Sequence, residues 1–332
     1  MNARSSKRSG RFRIGRLVGV VLLCAVVAFA SLGPGTAVVD QLQMRATPTH
    51  TVHARMTYGQ TDARSMLAGI NRFRTGSDAW YWNEDNKTKT TCSDLSPLTY
   101  DYTLEKIAML RAREIAISYD HTRPNGFWFS TAYSSSGTTY RYAGENIAAG
   151  FPSAESVLEG WEEANEKYDG QGHRRNLLND QCNAVGIAHV RYQGVDFWVQ
   201  EFDSRLVPDT AETAADDSTS VVDVDVADSY LQSAEAQVGG LSAQMRSGLS
   251  ASLPTARISA RIAGHWPASD SGSGESSCNL VPDSVNWTSS NERVARVSGS
   301  KVTCGKPGKA TLTCTLSFMG REYTERFPVT VV

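Results

Sequence analysis

The stretch LEKIAMLRAREIAISYDHTRPNG, residues 104–126, decides how this chain is read. Leu104, Ala108, Ala112, Ile115 and Tyr119 recur at spacings of four and three, which sets them on one buried face of a helix. The helix runs into His121-Thr122-Arg123-Pro124-Asn125-Gly126, where Pro and Gly turn the chain and leave an imidazole at a helix end. Upstream, Thr61 is placed to cap a helix whose stripe is Met66, Leu67, Ile70 and Phe73, with Gly76 ending it. The aromatic loop Trp80-Tyr81-Trp82 separates the two helices. Downstream, Ser153 begins a third helix that turns Val157, Leu158 and Trp161 inward. Two apolar runs follow, Ala184–Tyr192 and Asp196–Phe202. Val185, Ile187, Val195, Phe197 and Trp198 suit strands of one sheet.

The chain is 332 residues long, room for about two domains of roughly 150 residues and some connecting length. Net charge is −2, from 33 basic and 35 acidic residues. Six of the basic residues (Arg4, Lys7, Arg8, Arg11, Arg13 and Arg16) lie in the first 30 positions, which hold no acid. The remainder is therefore mildly acidic and has no long basic run, which excludes nucleic acid as a partner.

The basic stretch leads into LVGVVLLCAVVAFASL (17–32) and the small-residue pattern Ala28-Phe29-Ala30, the build of a secretory signal. Residues 1–35 are read as a signal peptide cut after Ala30 or as an uncleaved signal-anchor. Both readings put the rest of the chain outside the cytosol, with membrane contact only through this segment. No C-x-x-C pair exists, so a zinc knot is not expected. In an oxidising compartment one bridge is expected between Cys92 and Cys182, and one among Cys278, Cys304 and Cys314, whose pairing spacing does not decide.

Residues 36–60 lack a helical period and read as a tether. Residues 206–235 carry eight acids and no Lys or Arg. They read, together with the Ser/Ala/Gly-rich 236–255, as a linker holding at most a weak strand at Val221–Val226. After residue 256, strand-like runs alternate with turn residues every 8–12 positions, as in a small β-sandwich.

Three clusters in 61–205 carry chemistry: the one at His121, then Gly144-Glu145-Asn146, then Gly172-His173-Arg174-Arg175-Asn176. Two imidazoles and a carboxylate at element ends are a donor set for one divalent cation, or for general acid–base work. The bland alternative is that each histidine caps a helix or bonds the backbone. There is no G-x-S-x-G and no H-E-x-x-H, so neither a serine hydrolase nor a common zinc protease is indicated.

As a set and in order, LRAREIAISYDHTRPNG (110–126), AGENIAAG (143–150), Trp161 with its acidic followers, GHRRNLLN (172–179) and WVQEF (198–202) resemble the CAP superfamily. That superfamily comprises cysteine-rich secretory proteins, antigen 5 and plant pathogenesis-related proteins of class one, with many bacterial members. The resemblance implies an α+β fold over 61–205, a three-layer α-β-α sandwich with a central cleft. It also implies that His121, Glu145 and His173 line the cleft and hold a divalent cation (zinc, magnesium or calcium), with no organic cofactor. The family's fourth position, a glutamate three residues after the tryptophan, is Ala164 here. Glu163 joins the cleft only through a one-residue shift, about 100° of rotation on a helix.

Residues 256–332, with VNWTSSNERVARVS (285–298), GSKVTCGKPGKATLTC (299–314) and FPVTVV (327–332), resemble a bacterial immunoglobulin-like domain of group 2. Such modules are extracellular spacers or adhesion units. The two resemblances together imply a secreted or cell-surface bacterial binding protein whose cleft takes a lipid-like or envelope ligand. A metal-assisted hydrolase of peptide or cell-wall material, with Glu145 as base, is the rival expectation. An adhesin that meets a host surface through its C-terminal domain is the third.

Overall fold

The computed structural model describes residues 48–265 and 277–332. The expectations for residues 1–35 and for 36–47 fall outside these. Among the described residues no helix is long and apolar enough to cross a membrane.

Among the described residues, five α-helices lie within 48–205: α1 (Gln60–Arg74), α2 (Tyr102–Ile117), α3 (Thr131–Ser135), α4 (Ala154–Glu162) and α5 (Gly172–Leu177). The strands there are β1 (Thr49–Tyr58), β2 (Trp80–Trp82), β3 (Lys89–Thr91), β4 (Thr99–Tyr100), β5 (Gly144–Ala149), β6 (Ala184–Tyr192) and β7 (Val195–Asp203). Two helix starts have a local cause. Asp101 caps α2 by accepting from the Thr103 and Leu104 amides, and Ser153 forms a capping box with Ser156 on α4.

β5, β7 and β6 pair antiparallel, and side chains alternate across the sheet they form. Val185, Ile187, Trp198 and Phe202 pack against Met66, Ile70 and Phe73 of α1 and Val157, Leu158 and Trp161 of α4. Ile147, Ala188, Val190, Phe197 and Val199 turn the other way, onto Ala108, Ala112, Ile115 and Ala116 of α2. This is a three-layer arrangement of helix, sheet and helix within a mixed α+β chain. Burying some twenty large apolar side chains on two faces, at roughly 1.5–3 kcal/mol each, is what holds the layers together.

The expected tether and linker are structured. β1 lies inside the segment read as a tether, and pairs along its length with β8 (Thr219–Ala227), taken from the acidic segment. The register explains it: Val222, Val224 and Val226 alternate with Asp223 and Asp225, so the acids stay on the wet face while the valines enter the core. The acids before β8 also have partners. Asp217 accepts from the Thr61 amide (2.9 Å) and hydroxyl (2.6 Å) at the start of α1, and Asp209 accepts from the Thr103 hydroxyl at the start of α2. Carboxylates at helix N-termini answer the exposed amides and the dipole. A count of acids without their helix partners reads as a solvated coil.

β9 (Leu231–Val238), β10 (Gln244–Met245), β11 (Ser250–Ser252), β12 (Ala256–Ile262) and β13 (Cys278–Val281) follow. The large sheet runs β5-β7-β6-β1-β13-β12-β9, so β12 and β13 extend it instead of opening a separate sandwich at 256. Ile258, Ala260, Ile262, Cys278 and Leu280 are buried in the same cluster as α2. The last strands are β14 (Ser284–Ser289), β15 (Ala295–Ser298), β16 (Lys301–Cys304), β17 (Gly308–Phe318) and β18 (Arg321–Val331). They make two small sheets, β10-β18-β17-β14 and β11-β16-β15, around Met245, Val294, Ala295, Val302, Leu312 and Val331. Trp287 packs on Phe327 at the margin of that cluster. The two-sheet C-terminal unit thus draws two short strands from the supposed linker.

The expected bridge between Cys92 and Cys182 is not formed: both are free thiols within one apolar cluster. Cys278, Cys304 and Cys314 are free as well, and Cys278 lies in the large-sheet core while Cys304 belongs to the C-terminal cluster.

Gly186 of β6 lets α2 lie directly on the sheet. A Cβ there would come within 2.1 Å of the Leu104 carbonyl carbon and 2.2 Å of the Glu105 nitrogen, both backbone. Gly186→Ala is expected to destabilise the protein by about 2–3 kcal/mol through forced separation of the layers, read as a lowered urea midpoint with the slope unchanged.

Candidate functional site

α2 ends at Ile117, and the chain turns through Arg123–Gly126, with Gly126 at a φ of 89°. That turn holds His121 against β5. Its Nδ1 lies 2.7 Å from Glu145 Oε1, and both side chains are buried. The partner of His173, at the start of α5, is Glu163: Nδ1 to Oε1 is 2.5 Å.

Glu163 enters by a route the helix geometry did not offer. α4 stops at Glu162, and Glu163 takes a left-handed conformation (φ 45°, ψ 39°). For a non-glycine residue this costs about 1–2 kcal/mol, which its buried bonds offset. Besides His173, the carboxylate accepts from the Arg174 amide at 3.1 Å. The backbone turn supplies the rotation that the one-residue shift in sequence required.

Both pairs are fastened to successive residues of β5. Glu145 faces α2, as Ile147 does. Asn146 faces the other way, where its Nδ2 donates to Gln200 (2.9 Å) and, weakly, to the His173 carbonyl (3.4 Å). Asn176 donates to Asn146 Oδ1 and to the Glu145 carbonyl. The two pairs therefore approach β5 from its opposite faces, and β5 is an outermost strand of the sheet. Asn146 and Asn176 join the elements by these bonds, while Trp161 and Trp198 lie in the core.

Sequence reasoning missed the groups behind Glu145. Arg111 is fully buried and grips Glu145 through Nε (2.6 Å) and Nη2 (3.2 Å), while Nη1 reaches Glu114 at 2.8 Å. Glu114 is held in turn by Arg123 at 2.7 Å. Arg111 falls at i+7 from Leu104 and i+3 from Ala108, on the apolar stripe itself. A charge at such a position is the sign of a buried ion pair. Burial opposes the charge on Glu145, but the Arg111 guanidinium and the His121 imidazole outweigh it and hold the carboxyl down at about 2.

Glu201 was also missed. It stands directly opposite Glu145 across β5 and β7, wholly buried. Burial first, and then the Glu145 charge, pushes its carboxyl well above the usual range. The Tyr133 hydroxyl donates to Glu201 Oε2 (2.9 Å) and also lies 3.0 Å from the Phe202 carbonyl. The signal in sequence was Gln200-Glu201, two polar residues interrupting an apolar strand.

Among the described residues, no group of three His, Cys, Asp or Glu side chains is arranged to hold a metal ion. Both oxygens of Glu145 are engaged, by Arg111 and His121. The outer nitrogen of each ring stays available. Nε2 of His121 and Nε2 of His173 are buried with no hydrogen-bond partner among the described residues. The His121 ring lies 6.2 Å from that of Trp128, which is 38% exposed.

Residues 67–202 match the family model described as CAP, the cysteine-rich secretory protein family, so the chain carries a CAP domain. No family match covers the C-terminal unit. The uncharacterized protein YkwD of Bacillus subtilis is 32% identical over 110 residues, 32% of this chain and 40% of YkwD. The chain thus spans well under half of that relative. An extracellular protein containing a SCP domain from Bacillus anthracis is 22% identical in structural alignment, covering 44% of this chain and 41% of that one, with a TM-score of 0.33. An outer surface protein from Borrelia burgdorferi is 18% identical over 44% of this chain and 94% of its own, again with a TM-score of 0.33.

Two outcomes are expected. Arg111→Met leaves Glu145 and Glu114 buried with too little positive charge, and should cost about 3–5 kcal/mol in urea unfolding. Glu201 has a folded-state pKa above its unfolded value, so its contribution is fully present below about pH 4.5 and is lost as pH rises. Glu201→Gln removes this loss, and should gain stability relative to wild type by up to about 1.4 kcal/mol per pH unit above that point. A constant difference between pH 4 and pH 7 would show a charged Glu201.

Proposed function

We propose that the protein is a secreted or cell-surface binding protein whose ligand site is built on His121 and His173, and that its first ligand is a divalent cation, zinc above all. One observation carries the reading: each imidazole is pinned at Nδ1 by a buried carboxylate, and its Nε2 is buried without a partner among the described residues. A carboxylate behind Nδ1 fixes the tautomer with its proton there, leaves the lone pair on Nε2, and makes that nitrogen a better donor. Leaving such a nitrogen buried and unused costs free energy, which a cation would recover. The two rings would hold the ion, Glu145 and Glu163 would orient them, and the ion would supply a Lewis acid for an oxygen of a second ligand. Beside His121, the exposed Trp128 ring suits the apolar part of a lipid-like or envelope molecule.

The hydrolase alternative asks Glu145 to take up a proton. With its carboxyl held at about 2 and its oxygens engaged by Arg111, it is a weak base at neutral pH. The basic-then-apolar residues 1–32 support export, and the strands carrying WTSSNERVARV, β14 in one small sheet and β15 in the other, support an immunoglobulin-like spacer of group 2.

Calorimetry of the full chain with zinc should show saturable binding that weakens in acid, as protons compete for the imidazoles. His121→Ala with His173→Ala should abolish it, and Glu163→Gln should weaken it by about 10–100-fold. Undiminished binding by the double variant would falsify the site.

A further inference from the structure

α5 has two functional sides. His173 turns toward Glu163, and Arg175, two positions on, lines a separate cavity of about 450 Å³ between the β2–β3 hairpin and the segment after α5. From this cavity we infer a saccharide-binding site, distinct from the imidazole pairs and independent of the cation reading. Its walls combine the Tyr81 ring and Leu95 with Asp94, Asp180, Asn179 and Arg175. Arg175 is only 8% exposed. Its guanidinium lies 4.1 Å above the Tyr168 ring and donates to the Tyr168 carbonyl, yet Nε has no partner among the described residues. Among those residues Asp94 accepts only from its neighbour Ser93, and Asp180 only from Gln181. Both carboxylates therefore keep lone pairs open to a guest.

The mixture selects the ligand class. An anion suited to Arg175 meets two carboxylates. A cation suited to the carboxylates meets a fixed guanidinium. A lipid tail satisfies neither, and strips water from all three at a cost of about 1–3 kcal/mol for each unpaired group. A sugar answers every wall at once: vicinal hydroxyls donate to Asp94 and Asp180 and accept from Arg175 Nε–H, while the C–H face of the ring lies on Tyr81 and Leu95. The volume suits one or two pyranose rings, and the cavity lies within the usual range for small-ligand sites.

The test uses the full chain, with chitotetraose and maltotetraose as probes in calorimetry and saturation-transfer NMR. At least one should bind saturably, with transfer to its ring C–H protons. Asp94→Ala with Asp180→Ala, both exposed and hence expected to melt like wild type, should weaken binding at least about tenfold. Tyr81→Leu is a second, apolar probe of the same wall, expected to weaken binding by a similar factor. His121→Ala with His173→Ala, or a chelator, should leave binding unchanged. Absence of saturable binding to both sugars at about 10 mM overturns the inference. So does binding that survives both cavity variants, or that is lost with the histidines.

Discussion

A guanidinium sealed from water cannot shed its charge, so everything around Arg111 is arranged to answer it. Three of its nitrogens meet Glu145, Glu114 and the Asp120 carbonyl, and Arg123 neutralises the second charge on Glu114. Two cations and two anions then balance in a buried region. One more negative charge would disturb the balance, and burial with the Glu145 charge pushes the carboxyl of Glu201, across the ladder, well above the usual range. The rigidity of His121 follows from this. Its ring is oriented by a carboxylate that is itself locked on two sides, so its outer nitrogen points where the scaffold sends it, without a search over rotamers.

The same logic explains the acidic segment. Asp209 and Asp217 reach back to the starts of α2 and α1, and β8 lies along β1 with its valines inward. The domain that a sequence motif set delimits at 205 is therefore wrapped by the acidic segment on its C-terminal side. Arg64 shows the wrapping from the opposite direction: it donates to Glu105 of α2 and also to the Thr213 carbonyl. β12 and β13 then carry the sheet beyond β1, packing Ile258 and Leu280 against the core that α2 already forms.

Legibility depended on whether a signal was local. Helix stripes at Met66–Phe73 and Leu104–Ile115, the Ser153 start and the strands around Val185 and Phe197 rest on periodicity within one element, and they stand in the structure. The pairings His121–Glu145 and His173–Glu163 are not periodic. The first was reached only because ordered motifs resemble a family, and the second hinged on a left-handed backbone at Glu163 that no helical count contains. The tether and linker were misread because composition does not record a partner: Asp223 and Asp225 look like self-repulsion until β1 is placed beside them. The Cys92–Cys182 bridge was inferred from compartment alone, which says nothing of geometry.

β5 resolves an apparent difficulty in the site. Glu145 and Asn146 are neighbours on a strand, so their side chains leave on opposite faces, and the histidine pairs they anchor start on opposite sides of the sheet. In the middle of a sheet that would separate them by main chain on either side. β5 has a hydrogen-bonded neighbour strand on one side only, β7, so nothing in the ladder lies beyond it among the described residues. α5 uses this freedom, because Asn176 reaches the Glu145 carbonyl while His173 on the same helix bonds Glu163. An edge strand is ordinarily a liability, open to unwanted pairing. Here the side chains of Asn146 and Asn176 tie it to a helix.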